Sequence, residues 1–213
     1  MNARYRGHND RRGLKRKLGT REPKPRILVV CEGVVTEPFY FKDLRKVAEC
    51  QLVEIVVVDL GAVPKTVVEE AVRRKRAAED DASRQNDDFL RYDEVWCVFD
   101  VDQHPRLPDA RQQARANKIR LAISNPSFEL WALLHLQDQT AHLDRKEARR
   151  LLVQHIPTYQ KQLPFALIHQ GYSQALRRAL TLRQRRAEAQ DAGGNPSTDV
   201  GLLTQRMHEL GRK

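Results

Sequence analysis

Between residues 26 and 136, continuous apolar runs alternate with amphipathic ones, and this alternation predicts the architecture. RILVVCEG, LVEIVVVDLG, DEVWCVFDVD and IRLAISNP are short, rich in β-branched residues and closed by Gly, Asp or Asn-Pro, the pattern of strands buried on both faces. The segments between them read as helices. One starts at Thr36, which can cap it, with Pro38 in the first turn and an apolar stripe of Phe39, Tyr40, Leu44, Val47 and Ala48. A second starts near Pro64 with Val68, Ala71 and Val72 facing inward, and the polar run EDDASRQNDD after it reads as loop or frayed helix end. Asp109–Ala116 is a short helix, and SFELWALLHL is a helix apolar almost all round, hence buried. The order βαβαβαβα calls for right-handed crossovers. We therefore expect an α/β fold with a mostly parallel four-stranded sheet and helices on both faces.

From Asp144 the strand signal disappears. Helical patterns follow at Lys146–Gln154, Tyr172–Ala189 and Val200–Leu210, predicting an α-helical C-terminal extension packed on the core. The tripeptide NPS, at 125 and again at 195, reads as helix-start chemistry used twice. The first 25 residues have no apolar periodicity and read as a disordered or partner-ordered arm. The expected organisation is an arm (1–25), an α/β core (26–143) and a helical extension (144–213).

Charge sharpens this division. The chain of 213 residues carries a formal net charge of +10, but residues 1–26 hold +8, 27–144 hold −6, 145–186 hold +9 and 187–213 hold −1. An acidic middle between basic flanks suits a cation site beside a polyanion surface. No apolar run approaches the ~20 residues of a membrane span and no signal-peptide core follows the N-terminus, so a cytoplasmic protein with no membrane partner is expected. Cys31, Cys50 and Cys97 lack metal-like spacing and read as reduced, buried residues.

In an open parallel sheet ligands bind beyond the carboxyl ends of the strands. The four predicted strands end at Glu32, at Asp59, at Asp100 with Asp102, and at Ser124–Asn125, where Ser127 and Glu129 open the next helix. Asp100 and Asp102 project to one side with Val101 facing away. Each of these acids alone also fits a loop cap or a helix first turn; together they suit Mg²⁺ or Mn²⁺, which prefer carboxylate oxygens and retained water. His104 is a possible nitrogen ligand or acid/base, whereas His135 fits a packed residue better. There is no Gly-rich phosphate loop, so a tightly held nucleotide lacks its usual cradle.

The segments CEGVVTE, FDVDQH, SNPSFELWALLH and NPSTDVGLL together resemble the RloB family over most of residues 26–210. The resemblance implies a Toprim-like fold and a role in prokaryotic antiphage abortive infection, with an AAA-type ATPase encoded nearby, as in AbiL-type systems. Toprim domains place a Glu after the first strand and Asp-x-Asp at the third, positions matched here by Glu32, Asp100 and Asp102. Toprim nucleases of the OLD type add a second Glu at the following helix start and a later Ser-x-Glu, similar to Glu37 and to Ser127 with Glu129. Glu37 lies one residue farther from Glu32 than in that pattern, which also allows it a supporting or helix-capping place. The expectation is a Mg²⁺- or Mn²⁺-dependent nuclease cleaving DNA or RNA, with Glu32, Asp100, Asp102, Glu37 and Glu129 as catalytic residues. Of these, Glu32, Asp100, Asp102 and Glu129 are the expected metal ligands, and activity is expected to be low without the ATPase. A non-catalytic adaptor of that ATPase, binding nucleic acid or relaying a signal, is the alternative.

Overall fold

The computed structural model describes residues 25–57, 63–101 and 107–212. The basic arm, Asp59, Asp102 and His104 lie outside them. Strands β1 (Ile27–Cys31), β2 (Val53–Val57), β3 (Glu94–Asp100) and β4 (Arg120–Asn125) pair in parallel in the order β2-β1-β3-β4. The crossovers between them are helices α1 (Thr36–Val47), α2 (Pro64–Gln85) and α3 (Leu107–Ala116). After β1 the chain moves to one side of that strand, and after β2 it crosses to the other, so β1 and β3 flank the point where the winding reverses. That reversal opens a crevice at their carboxyl ends.

Each buried strand feeds two cores, because successive side chains point to opposite faces. Ile27, Val29, Cys31, Trp96 and Val98 pack against α1 and α4 (Phe128–Leu134), whose seven residues are all buried. Leu28, Val30, Val95, Cys97 and Phe99 pack against Val67, Val68, Ala71 and Val72 of α2 and Ala110 and Ala114 of α3. The result is three layers. The C-terminal helices α5 (Arg145–His155), α6 (Phe165–Ile168), α7 (Tyr172–Glu188) and α8 (Val200–Gly211) extend the first layer. Leu152, Ile168, Ala179, Leu203 and Met207 belong to the same apolar cluster as β1 and Trp131. Each fully buried large side chain contributes roughly 1.5–3 kcal/mol.

Three expectations need correction. Among the described residues the sheet has five strands, because Ser197–Thr198 forms a short strand β5 antiparallel to Ser124 and Asn125. The extension is therefore not wholly helical, and the second NPS leads into the edge strand, where Ser124 and Thr198 exchange a hydroxyl hydrogen bond of 2.8 Å. The run after Ala78 is helix through Gln85, closed by Asn86 in the left-handed conformation at φ 50°. Ala78 and Ala82 keep it seated on the core, where two small residues suffice. In α1, Val35 holds the N-cap position and Thr36 turns its hydroxyl away to the Lys161 carbonyl. The buried stripe is Tyr40, Phe41, Leu44 and Ala48, while Phe39 and Val47 are exposed.

A 3-10 turn, His169–Gly171, crosses the end of α4 so closely that a methyl at Gly171 would run into the His135 carbonyl oxygen. Backbone on both sides cannot yield easily. Gly171→Ala is expected to cost about 1–3 kcal/mol, read as a lower urea midpoint at unchanged m-value; an unaltered midpoint would show that the approach is looser.

Candidate functional site: an acidic cleft between β1 and β3

Glu32 follows directly on β1, where its backbone N–H donates to Val98 and fixes it beside β3. Its carboxylate in turn accepts from the backbone N–H of Asp100, at 3.4 Å. Asp100 ends β3 with its side chain buried. Burial raises its pKa well above the usual carboxylate range, with Glu37, Glu129 and Glu32 adding repulsion. The Arg145 guanidinium, 3.3 Å from Asp100 Oδ2 at the start of α5, works in the opposite direction.

Glu37 lies on the inward stripe of α1, three and four residues before Tyr40 and Phe41. Its carboxylate folds back over Gly33, where a Cβ would overlap it. Burial raises its pKa to about 7; its own backbone N–H opposes the shift, while Glu129 and Glu32 add to it. Glu129 sits in the first turn of α4, gripped from two sides: Ser127 Oγ donates to Oε2 at 2.7 Å and the Tyr159 hydroxyl to Oε1 at 3.1 Å. Ser127 thus holds the N-cap position of α4 but spends its hydroxyl on the carboxylate.

Glu37, Asp100 and Glu129 face a cleft of about 70 Å³, with Arg145 and Lys161 on its rim. It has room for a cation with a few waters but not for a nucleotide. Four of the expected acids, Glu32, Glu37, Asp100 and Glu129, therefore meet at this edge, and Asp102 lies two residues beyond Asp100, outside the described residues. Among the described residues no three His, Cys, Asp or Glu side chains are already disposed as a ligand set. The chemistry of the donors nevertheless fits a hard cation: all are carboxylate oxygens, and Glu37 and Asp100 are close enough to Glu129 and Glu32 for their charges to repel.

Three site residues escaped the sequence reading: Arg145, Lys161 and Tyr159. The latter two share the loop between α5 and α6, pinned over the cleft by the Thr36 hydroxyl on the Lys161 carbonyl, at 2.7 Å, and by Tyr159 on Glu129. Tyr159 between Pro157 and Pro164 was a faint signal of an ordered loop; nothing local marks Lys161. His135 is a packed residue, with Nδ1 2.9 Å from the Trp131 carbonyl and its ring edge-on to that indole. Burial lowers its pKa to about 4. Cys31 is a buried thiol with its pKa raised by burial. Among the described residues no helix is long and apolar enough to cross a membrane.

No curated protein matches the chain. A family model described as RloB-like protein does match, over residues 27–207, a span that begins with β1 and runs into α8; the chain belongs to the RloB-like family.

Proposed function

We propose that this protein is a metal-dependent nuclease with a Toprim-like core, hydrolysing phosphodiester bonds in DNA or RNA. The observation that carries the reading is the convergence of Glu32, Glu37, Asp100 and Glu129 at the reversal point of the sheet, beneath Arg145 and Lys161. Buried like charges are costly, and a fold keeps them together where a cation and a polyanion are to meet.

Glu32, Asp100, Asp102 and Glu129 would hold Mg²⁺ or Mn²⁺. When bound, the cation makes water a stronger nucleophile and offsets charge on the phosphoryl oxygens. Arg145 and Lys161 hold the phosphate at the rim and oppose the charge that grows as the phosphorus is attacked. Glu37, near neutrality in its pKa, accepts the proton of the attacking water on a carboxylate oxygen. The water oxygen bonds to phosphorus, the bond from phosphorus to the sugar oxygen breaks, and that oxygen takes a proton from solvent. Ser127 and Tyr159 keep Glu129 aimed at the cleft.

The test is incubation of the purified chain with plasmid DNA and total RNA, in Mg²⁺, in Mn²⁺ and in EDTA, alone and with the AAA-type ATPase expected beside it. Cleavage should need the metal, be weak for the chain alone and rise with the ATPase and ATP, in keeping with a toxic activity held in check for antiphage defence. Binding of nucleic acid without cleavage under every condition would favour the adaptor instead.

A further inference from the structure

Half of the Lys and Arg residues of 145–186 stand on one helix. In α7, Arg177, Arg178, Arg183, Arg185 and Arg186 stand against the single acid Glu188. Three of the five are committed within the fold: Arg178 to Asp138 and the Leu134 carbonyl, Arg183 to Asp199, and Arg186 to Asp191 and the Asn195 carbonyl. Arg177 and Arg185 are exposed and form no ion pair among the described residues. With Thr181 between them, they lie at i, i+4 and i+8, one row about 12 Å long. That row lines a groove of about 440 Å³ whose other wall includes Asp138, Gln139 and Thr140.

We propose that this groove binds the phosphate backbone of a nucleic acid. Two exposed arginines whose backbone positions are about 12 Å apart along the helix match a polyanion that carries a charge every 3.4 Å along each strand better than they match one small anion. An acidic protein segment is the weaker fit, because stable peptide docking needs apolar anchors and the groove's leucines, Leu134 and Leu182, are buried. Arg178 gives the groove a fixed floor, since its guanidinium is tied at 2.7 Å to both Asp138 and the end of α4. The acidic cleft lies at the other end of α4, where Glu129 occupies the first turn. One short helix therefore separates the groove from the cleft, and the groove serves as a second hold on the strand. This inference rests on the nucleic-acid reading above, but not on cleavage.

The experiment measures binding of a labelled 25-base-pair duplex and a labelled 25-nucleotide RNA by fluorescence anisotropy. The full chain is used in EDTA across a salt series. For at least one probe, Arg177→Gln with Arg185→Gln should weaken binding roughly tenfold and make the log–log salt dependence shallower by about 2, one per lost phosphate contact. Arg177→Lys with Arg185→Lys should retain most of the slope. Arg76→Gln with Arg115→Gln removes the same charge from α2 and α3 on the opposite layer and should change binding less than about twofold. Equal loss in both glutamine pairs, an unchanged slope, no binding by the wild type, or tighter binding of polyglutamate than of either probe would each overturn the proposal. If the groove variants behave as expected while no condition yields cleavage, the nuclease reading fails and the groove stands.

Discussion

Replacing Asp100 with asparagine is expected to lower metal-dependent cleavage by about a thousandfold or more while leaving the fold in place. The amide has the shape of the carboxylate and the strand that carries it is unchanged, so the backbone N–H still reaches Glu32. What disappears is the formal charge that a hard cation requires of its ligand. Stability should not fall, because the charge removed is buried among like charges and its partner Arg145 is half exposed, where an ion pair contributes little. The two halves are read separately, by cleavage in Mg²⁺ and by thermal melting followed by circular dichroism. Cleavage within tenfold of wild type would place Asp100 off the reaction path. Loss of both activity and melting transition would instead make Asp100 a structural residue, and Glu32→Gln would then be the informative variant.

Asp100 and Glu32 were legible because a strand buried on both faces announces its own end: the apolar run stops, and the next polar side chain stands at the sheet edge. Glu37 was half legible. Its position follows from the stripe Tyr40, Phe41 and Leu44, but the expected stripe included Phe39 and Val47, which are exposed, and so obscured that Glu37 shares the buried face. Arg145 and Lys161 could not be read as site residues, and Tyr159 only faintly, since their places depend on contacts between distant segments. Thr36 and Lys161 are 125 residues apart, and Tyr159 and Glu129 are 30 apart. The fifth strand was missed for a different reason: two residues are too few for alternation to register, and both are hydroxylated residues that resemble a helix cap. The long tail of α2 was missed because a helix end held by Ala78 and Ala82 shows almost no apolar signal in a run of charges.

Glu37→Gln is expected to give a more stable protein than the wild type above neutral pH, with the difference vanishing in acid. In the unfolded chain this carboxyl ionises near its ordinary 4.5, whereas in the folded protein burial and the neighbouring Glu129 and Glu32 hold it to about 7. The folded state therefore binds the proton more tightly than the unfolded state. Its contribution is fully present below pH 4.5 and is lost as the pH rises through 7. Glutamine stays neutral and escapes that loss, keeping on the order of 2 kcal/mol more stability at pH 8, or about 5 °C in Tm for a chain of this size. His135, whose burial acts in the opposite direction as pH falls, is common to both proteins and cancels in the comparison. The melts belong in EDTA, where no cation compensates the carboxylates. Adding millimolar Mg²⁺ should then raise the Tm of the wild type more than that of the variant, since a full set of charges binds the cation better. Parallel Tm curves from pH 5 to pH 9 would mean that Glu37 ionises like an exposed side chain, and that the cleft does not store the repulsion a cation would relieve.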